Sequence, residues 1–141
     1  VSAVRALIFW MPVIAGMGGN GGTQALAVTV RRVALGLIPV GKATSIVGKE
    51  VLAGMVNGAV NGAAAALVAM SLGHGANLGL VVFLAMTCNL LVAGFAGAFI
   101  PLVLNRMGID PAVASSIFVT TFTDVCGYSL LFGLAGWLLQ V

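Results

Sequence analysis

Asp124 is the only formally charged side chain among the 30 residues from Ala112 to Val141, a run made mostly of Val, Phe, Leu, Gly and Thr. As a helix rising about 1.5 Å per residue, such a run is long enough to cross a hydrocarbon layer ~30 Å thick. A carboxylate at mid-depth costs roughly 2.5–3.5 kcal/mol even on lenient insertion scales. It is tolerated only where it faces a wet cavity, a partner or an ion. Helical spacing puts Thr120 about 40° to one side of Asp124 and Tyr128 about 40° to the other, so Thr120–Asp124–Tyr128 form one polar stripe. Gly127 allows a partner helix or a hydrated ligand close to the backbone. A protonated Asp124, or one hydrogen-bonded to an Asn or Thr of a neighbouring helix, is the competing reading.

Composition points the same way. Hydrophobic residues make up 61% of the chain and charged residues only 6%, against roughly 25% charged in soluble domains. With a mean hydropathy of +1.20, the expected class is an all-α polytopic membrane helix bundle. The 20 glycines suit close helix–helix contact in lipid. Nucleic-acid binding is excluded, since no Lys/Arg cluster with interleaved aromatics exists. Cys88 and Cys126 lack metal or redox spacing and are expected to be buried small hydrophobes. The first apolar run is too long for a signal peptide. The chain starts without Met and is expected to be a piece of a longer protein.

Four spans are expected, at about 6–30, 51–72, 78–104 and 112–139, in one pore domain covering 1–141. The first has 25 residues without a charge, between Arg5 and Arg31–Arg32. Its glycine-rich stretch, Gly16 to Gly22, would not hold an isolated helix. In a bundle it permits backbone contact or a local opening. Asn20, Thr23 and Gln24 fall at i, i+3 and i+4, a shared face fit either to line a wet path or to hydrogen-bond between helices. The junction that follows holds Lys42 and Lys49, with Pro39 and Gly41 as breakers.

The second span carries Gly54, Gly58 and Gly62 every fourth residue, a helix-packing ladder. Glu50, Asn57 and Asn61 share a sector of about 40°, and Glu50 is expected at the rim beside Lys49. Ser71–Asn77 is a polar turn, and its His74 receives no role. The third span is the most uniformly apolar and is expected to be scaffold facing lipid, with Asn89 its chief polar group and Pro101 a kink. Asp110–Pro111 reads as N-cap followed by first helical residue. Most Lys and Arg fall in junctions 31–50 and 105–111, expected to be cytoplasmic, leaving 73–77 external; Arg5 is the dissenting charge.

The candidate ligands are carboxylate, hydroxyl, amide and carbonyl oxygens, a set suited to hard cations rather than zinc or copper(I). Magnesium keeps much of its water and is held by one or two carboxylates. One Asp per chain does not balance a divalent ion, whereas two copies about a two-fold axis do.

The run Pro12–Val13–Ile14–Ala15–Gly16–Met17–Gly18–Gly19–Asn20–Gly21–Gly22–Thr23–Gln24, followed by Arg31 and Ala34–Leu35–Gly36, resembles the signature of the MgtE family of magnesium channels and transporters. Asp110–Pro111–Ala112, Thr123–Asp124 and Glu50 ahead of the glycine ladder match the same family. The resemblance implies a homodimeric Mg²⁺-selective pore in the cell membrane, lined by the first and last spans. It places Asp124 as the aspartate holding hydrated Mg²⁺, with the backbone carbonyls of Thr120 and Gly127 contacting the ion's waters. It makes Asp110 and Glu50 cytoplasmic-side sites for regulatory Mg²⁺, and Asn20, Thr23, Gln24, Thr123 and Tyr128 pore wall. It also implies a further first helix and cytoplasmic helical and CBS regulatory domains outside this chain.

Two other functions fit the residues: a proton-coupled small-solute exchanger with Asp124 as proton carrier, and a non-transporting packing subunit. An enzyme does not, because one His and three acids assemble no nucleophile–base pair or metal triad.

Overall fold

The structure is a computed structural model that describes residues 2–140. Four α-helices account for nearly all of it: α1 (Ser2–Ala34), α2 (Ala43–Ser71), α3 (Gly75–Arg106) and α4 (Pro111–Leu139). Each outruns the span read from hydropathy, which detects only the charge-free part of a helix. Arg31 and Arg32 sit in the last turn of α1, and α2 starts at Ala43, well before its apolar run. The expected long junction therefore shrinks to residues 35–42. Gly36 (φ 64°) and Gly41 (φ 82°) take left-handed conformations there that a side chain would strain.

Among the described residues, three helical stretches are long and apolar enough to cross a membrane: α2, α3 and Ser115–Leu139 within α4. α1 is as long, and the glycines and amides of its middle lower its hydropathy there.

The expectation that the third span faces lipid is wrong. α3 is the centre of the bundle and packs against each of the other three helices, while α1 and α2 barely touch. Its buried residues run from Leu78 to Leu102 and include Asn89 and Pro101. Uniform apolarity marks a helix surrounded by other helices as well as one surrounded by lipid, because lipid tails and packed side chains are equally apolar.

Glycines explain how the helices come so close. α2 runs antiparallel to α3 and lays Gly54, Gly58 and Gly62 on its backbone at Leu90, Thr87 and Phe83. A Cβ at Gly58 would stand 2.8 Å from Thr87 Cα, and one at Gly62 2.9 Å from the Phe83 carbonyl oxygen. The contact is reciprocal, since Gly94 of α3 lies against the Glu50 carbonyl of α2. α1 runs parallel to α3, and a Cβ on Gly97 would be 2.5 Å from the Gly22 carbonyl oxygen. α4 is antiparallel to both and closes on α1 where Gly22 meets Val119. The bundle thus has two ends. One carries Arg31, Arg32, Lys42, Lys49, Glu50, Arg106 and Asp110; the other carries Arg5 and His74.

Candidate ion site on the fourth helix

α4 begins as its first residues dictate. Asp110 is extended (φ −62°, ψ 112°), its Oδ1 accepts a hydrogen bond from the Ala112 amide at 3.0 Å, and Pro111 fills the first helical position. Asp110 is exposed and lies beside a surface cleft shared with Val30, Val33 and Asn105.

Beyond the cap, every fourth residue of α4 turns inward: Ser115, Val119, Thr123, Gly127, Leu131 and Ala135 are buried. Thr120 and Asp124 follow one residue behind this stripe and are half-buried, and Tyr128 continues their edge in the open. Asp124 therefore sits mid-helix at the rim of the packed face, with part of its surface uncovered. Among the described residues no hydrogen bond or ion pair engages its carboxylate, and no three His, Cys, Asp or Glu side chains come together.

The neighbours of Asp124 divide. The Thr120 hydroxyl donates to the Ser116 and Ile117 carbonyls at 2.9 and 3.2 Å. The Thr120 carbonyl accepts the Thr123 hydroxyl at 3.0 Å in addition to its place in the helix ladder. Thr123 is fully buried, its methyl side towards Gly22, so of the residues expected on the wall it is the one turned into the bundle. The open side of Gly127 is filled by the Asn89 amide: a Cβ there would be 2.8 Å from Nδ2.

On α1 the helix runs unbroken through its glycines, so no local opening forms. Gly18 and Gly22 are buried against α3 and α4, while Asn20, Thr23 and Gln24 share the exposed face. The Thr23 hydroxyl donates to the Gly19 carbonyl at 2.8 Å.

Glu50 lies on another side of the molecule. Its Oε1 is 3.7 Å from Arg32 Nη1, so its partner is an arginine of α1 rather than the adjacent Lys49. It lines a cleft of about 170 Å³ between α1 and α2 together with Gln24, Asn57 and Gly94. Asn61 turns back along its own helix and donates to the Asn57 carbonyl at 2.8 Å. Cys88 and Cys126 are half-buried free thiols, more open than expected.

Reading the residues alone missed two things. Asn89 stood out only as a polar group in a greasy helix, yet its Nδ2 donates to the Ile14 carbonyl at 2.9 Å where three helices meet. Thr29 and Ser115 are fully buried hydroxyls on α1 and α4, and no periodicity singles them out.

The family model MgtE, described as a divalent cation transporter, matches residues 11–134, a stretch that holds Glu50, Asp110 and Asp124. The chain belongs to the MgtE family. The magnesium transporter MgtE of Enterococcus faecalis is 38% identical over 140 residues, covering 99% of this chain and 31% of that protein. The magnesium transporter MgtE of Bacillus subtilis is 33% identical over 132 residues, 94% of this chain and 29% of its own length. That of Thermus thermophilus is 32% identical over 141 residues, 99% of this chain and 31% of its own length. The chain thus spans about a third of the length of the MgtE relatives it matches. An all-helical bundle with helices apolar enough to cross a membrane fits this family, whose matched relatives are named as transporters rather than enzymes.

Proposed function

We propose that this chain is the pore-forming part of a Mg²⁺ channel or transporter and that Asp124 is its intramembrane ion-binding carboxylate. One observation carries the reading: a single carboxylate stands at mid-length of an apolar helix, without a hydrogen bond or ion pair among the described residues and open at the rim of the packed face. A charge so placed is offset by a cation rather than by the protein. A hydrated Mg²⁺ suits it, because that ion retains water and asks for few protein ligands.

One carboxylate leaves a divalent ion half-balanced, so the working unit is a homodimer in which two Asp124 side chains face a common path. α1 crosses the membrane with the other three helices, its polar middle lining that path through Asn20, Thr23 and Gln24. Tyr128 extends the α4 wall. The Gly127 carbonyl contacts the ion's waters, and the Thr120 carbonyl joins it when the Thr123 hydroxyl turns away. The end rich in Lys and Arg is cytoplasmic in a multi-pass cell-membrane protein. There Asp110, beside its cleft, and Glu50, if released from Arg32, are sites for regulatory Mg²⁺.

The test is Mg²⁺ uptake by liposomes holding the intact protein, with no proton gradient imposed. Uptake that Asp124→Asn abolishes supports the pore. Uptake that requires a proton gradient assigns Asp124 to proton-coupled exchange instead, and none under either condition leaves a packing subunit.

A further inference from the structure

Gly18 and Gly127 present their bare Cα faces to the same side chain, the Asn89 amide of α3. A Cβ on Gly18 would run into Nδ2, and one on Gly127 would stand 2.8 Å from Nδ2 and 3.3 Å from Oδ1. The amide is therefore held between two helices, α1 and α4, that both touch it through glycine. Asn89 is 0% exposed, and its Nδ2 is committed to the Ile14 carbonyl, one turn before Gly18. Among the described residues Oδ1 has no donor.

A buried amide costs free energy unless its position is used. This position joins the two helices that carry the polar faces. Gly127 is three residues past Asp124, less than a turn along α4. Any shift of α4 on the amide turns or slides the carboxylate by a similar amount. A hydrocarbon side chain of equal volume would fill the space, but it would lack the bond that ties α3 to α1 at Ile14.

We propose that Asn89 is a positioning residue: through its contact with Gly127 and its bond to Ile14 it sets the rotation of α4 against α1, and so the presentation of Asp124 to the cation. This rests on the reading of Asp124 given above.

Two measurements on the intact protein test it. In liposomes, Asn89→Leu and Gly127→Ala are each expected to raise the half-saturating Mg²⁺ concentration by about threefold or more, because ion binding is lost rather than only turnover. In the double variant Gly127→Ala/Asn89→Ala, the removed amide makes room for the added methyl while the bond to Ile14 is still lost, so half-saturation stays raised but by less than the product of the two single effects. The second readout needs no transport. The rate at which N-ethylmaleimide labels Cys126, followed on its own peptide by mass spectrometry, is expected to change by about twofold or more in Asn89→Leu as α4 turns.

Unchanged half-saturation with a lower maximal rate in both single variants makes Asn89 structural only and overturns the proposal. If Asn89→Leu does not fold, Gly127→Ala alone decides through the same two readouts. A wild-type protein that carries no Mg²⁺ sinks the proposed function instead. The labelling rate then still judges the positioning claim, which fails if that rate is unchanged.

Discussion

Arg32 of α1 and Glu50 of α2 are joined by a 3.7 Å ion pair across two helices that barely touch. The arginine side chain is 35% exposed and the glutamate 14%, so water screens the pair from one side. Pairs of this kind contribute about 0.2–1 kcal/mol. Glu50→Gln and Arg32→Gln should each lower the melting temperature slightly, and the double variant no more than the worse single. A double-mutant cycle followed by thermal unfolding in detergent measures this. A coupling near zero would leave Glu50 free for a cation.

Asp124 should matter for transport and little for assembly, since among the described residues its carboxylate makes no hydrogen bond or ion pair. Asp124→Asn keeps the shape and removes the charge. Mg²⁺ flux into liposomes should fall by about tenfold or more, with the elution volume of the purified protein unchanged. A variant that transports normally would separate the carboxylate from the pathway.

Gly94 lies against the Glu50 carbonyl, where a methyl group meets backbone rather than a side chain able to swing away. Gly94→Ala should therefore destabilise by about 1–3 kcal/mol, as overpacking does. Gly16, with nothing within 4 Å of its Cβ direction, is the control, and Gly16→Ala should leave stability unchanged or slightly raised. Thermal unfolding of the two variants side by side gives the comparison.

Asp110 has a structural task independent of any ion, accepting the Ala112 amide at 3.0 Å. Asp110→Ala should cost about 0.5–2 kcal/mol, while Asp110→Asn, which still caps, should cost little. If Asp110 also binds regulatory Mg²⁺, Asp110→Asn will alter the response of flux to Mg²⁺ on that side while leaving the melting temperature alone. Measuring both quantities on the same two variants separates capping from ion binding.

Much of this is legible in the order of the residues. Charge-free runs gave the number and order of the helices, Asp110–Pro111 gave the start of α4, and the spacing at Thr120, Asp124 and Tyr128 placed them along one edge. What hydropathy could not supply was neighbourhood. α3 read as lipid-facing because an apolar surface is the same whether lipid or protein covers it. Thr123 read as wall because one residue along a helix is a turn of about 100°, enough to move a side chain from rim to interior. The partner of Glu50 is not readable from the sequence, because Arg32 reaches it across a turn while Lys49, its neighbour in the chain, is exposed. Asn89 was unreadable as a junction because its significance lies in two glycines, 71 and 38 positions away, that have no side chains to announce a contact.

That α1 and α2 scarcely meet, each leaning on α3 instead, bears on how the molecule is made. Among these four helices, the glycines of α1 and the ladder of α2 find their shared surface only on α3. Without α3, α1 and α2 would stand apart rather than form half a bundle.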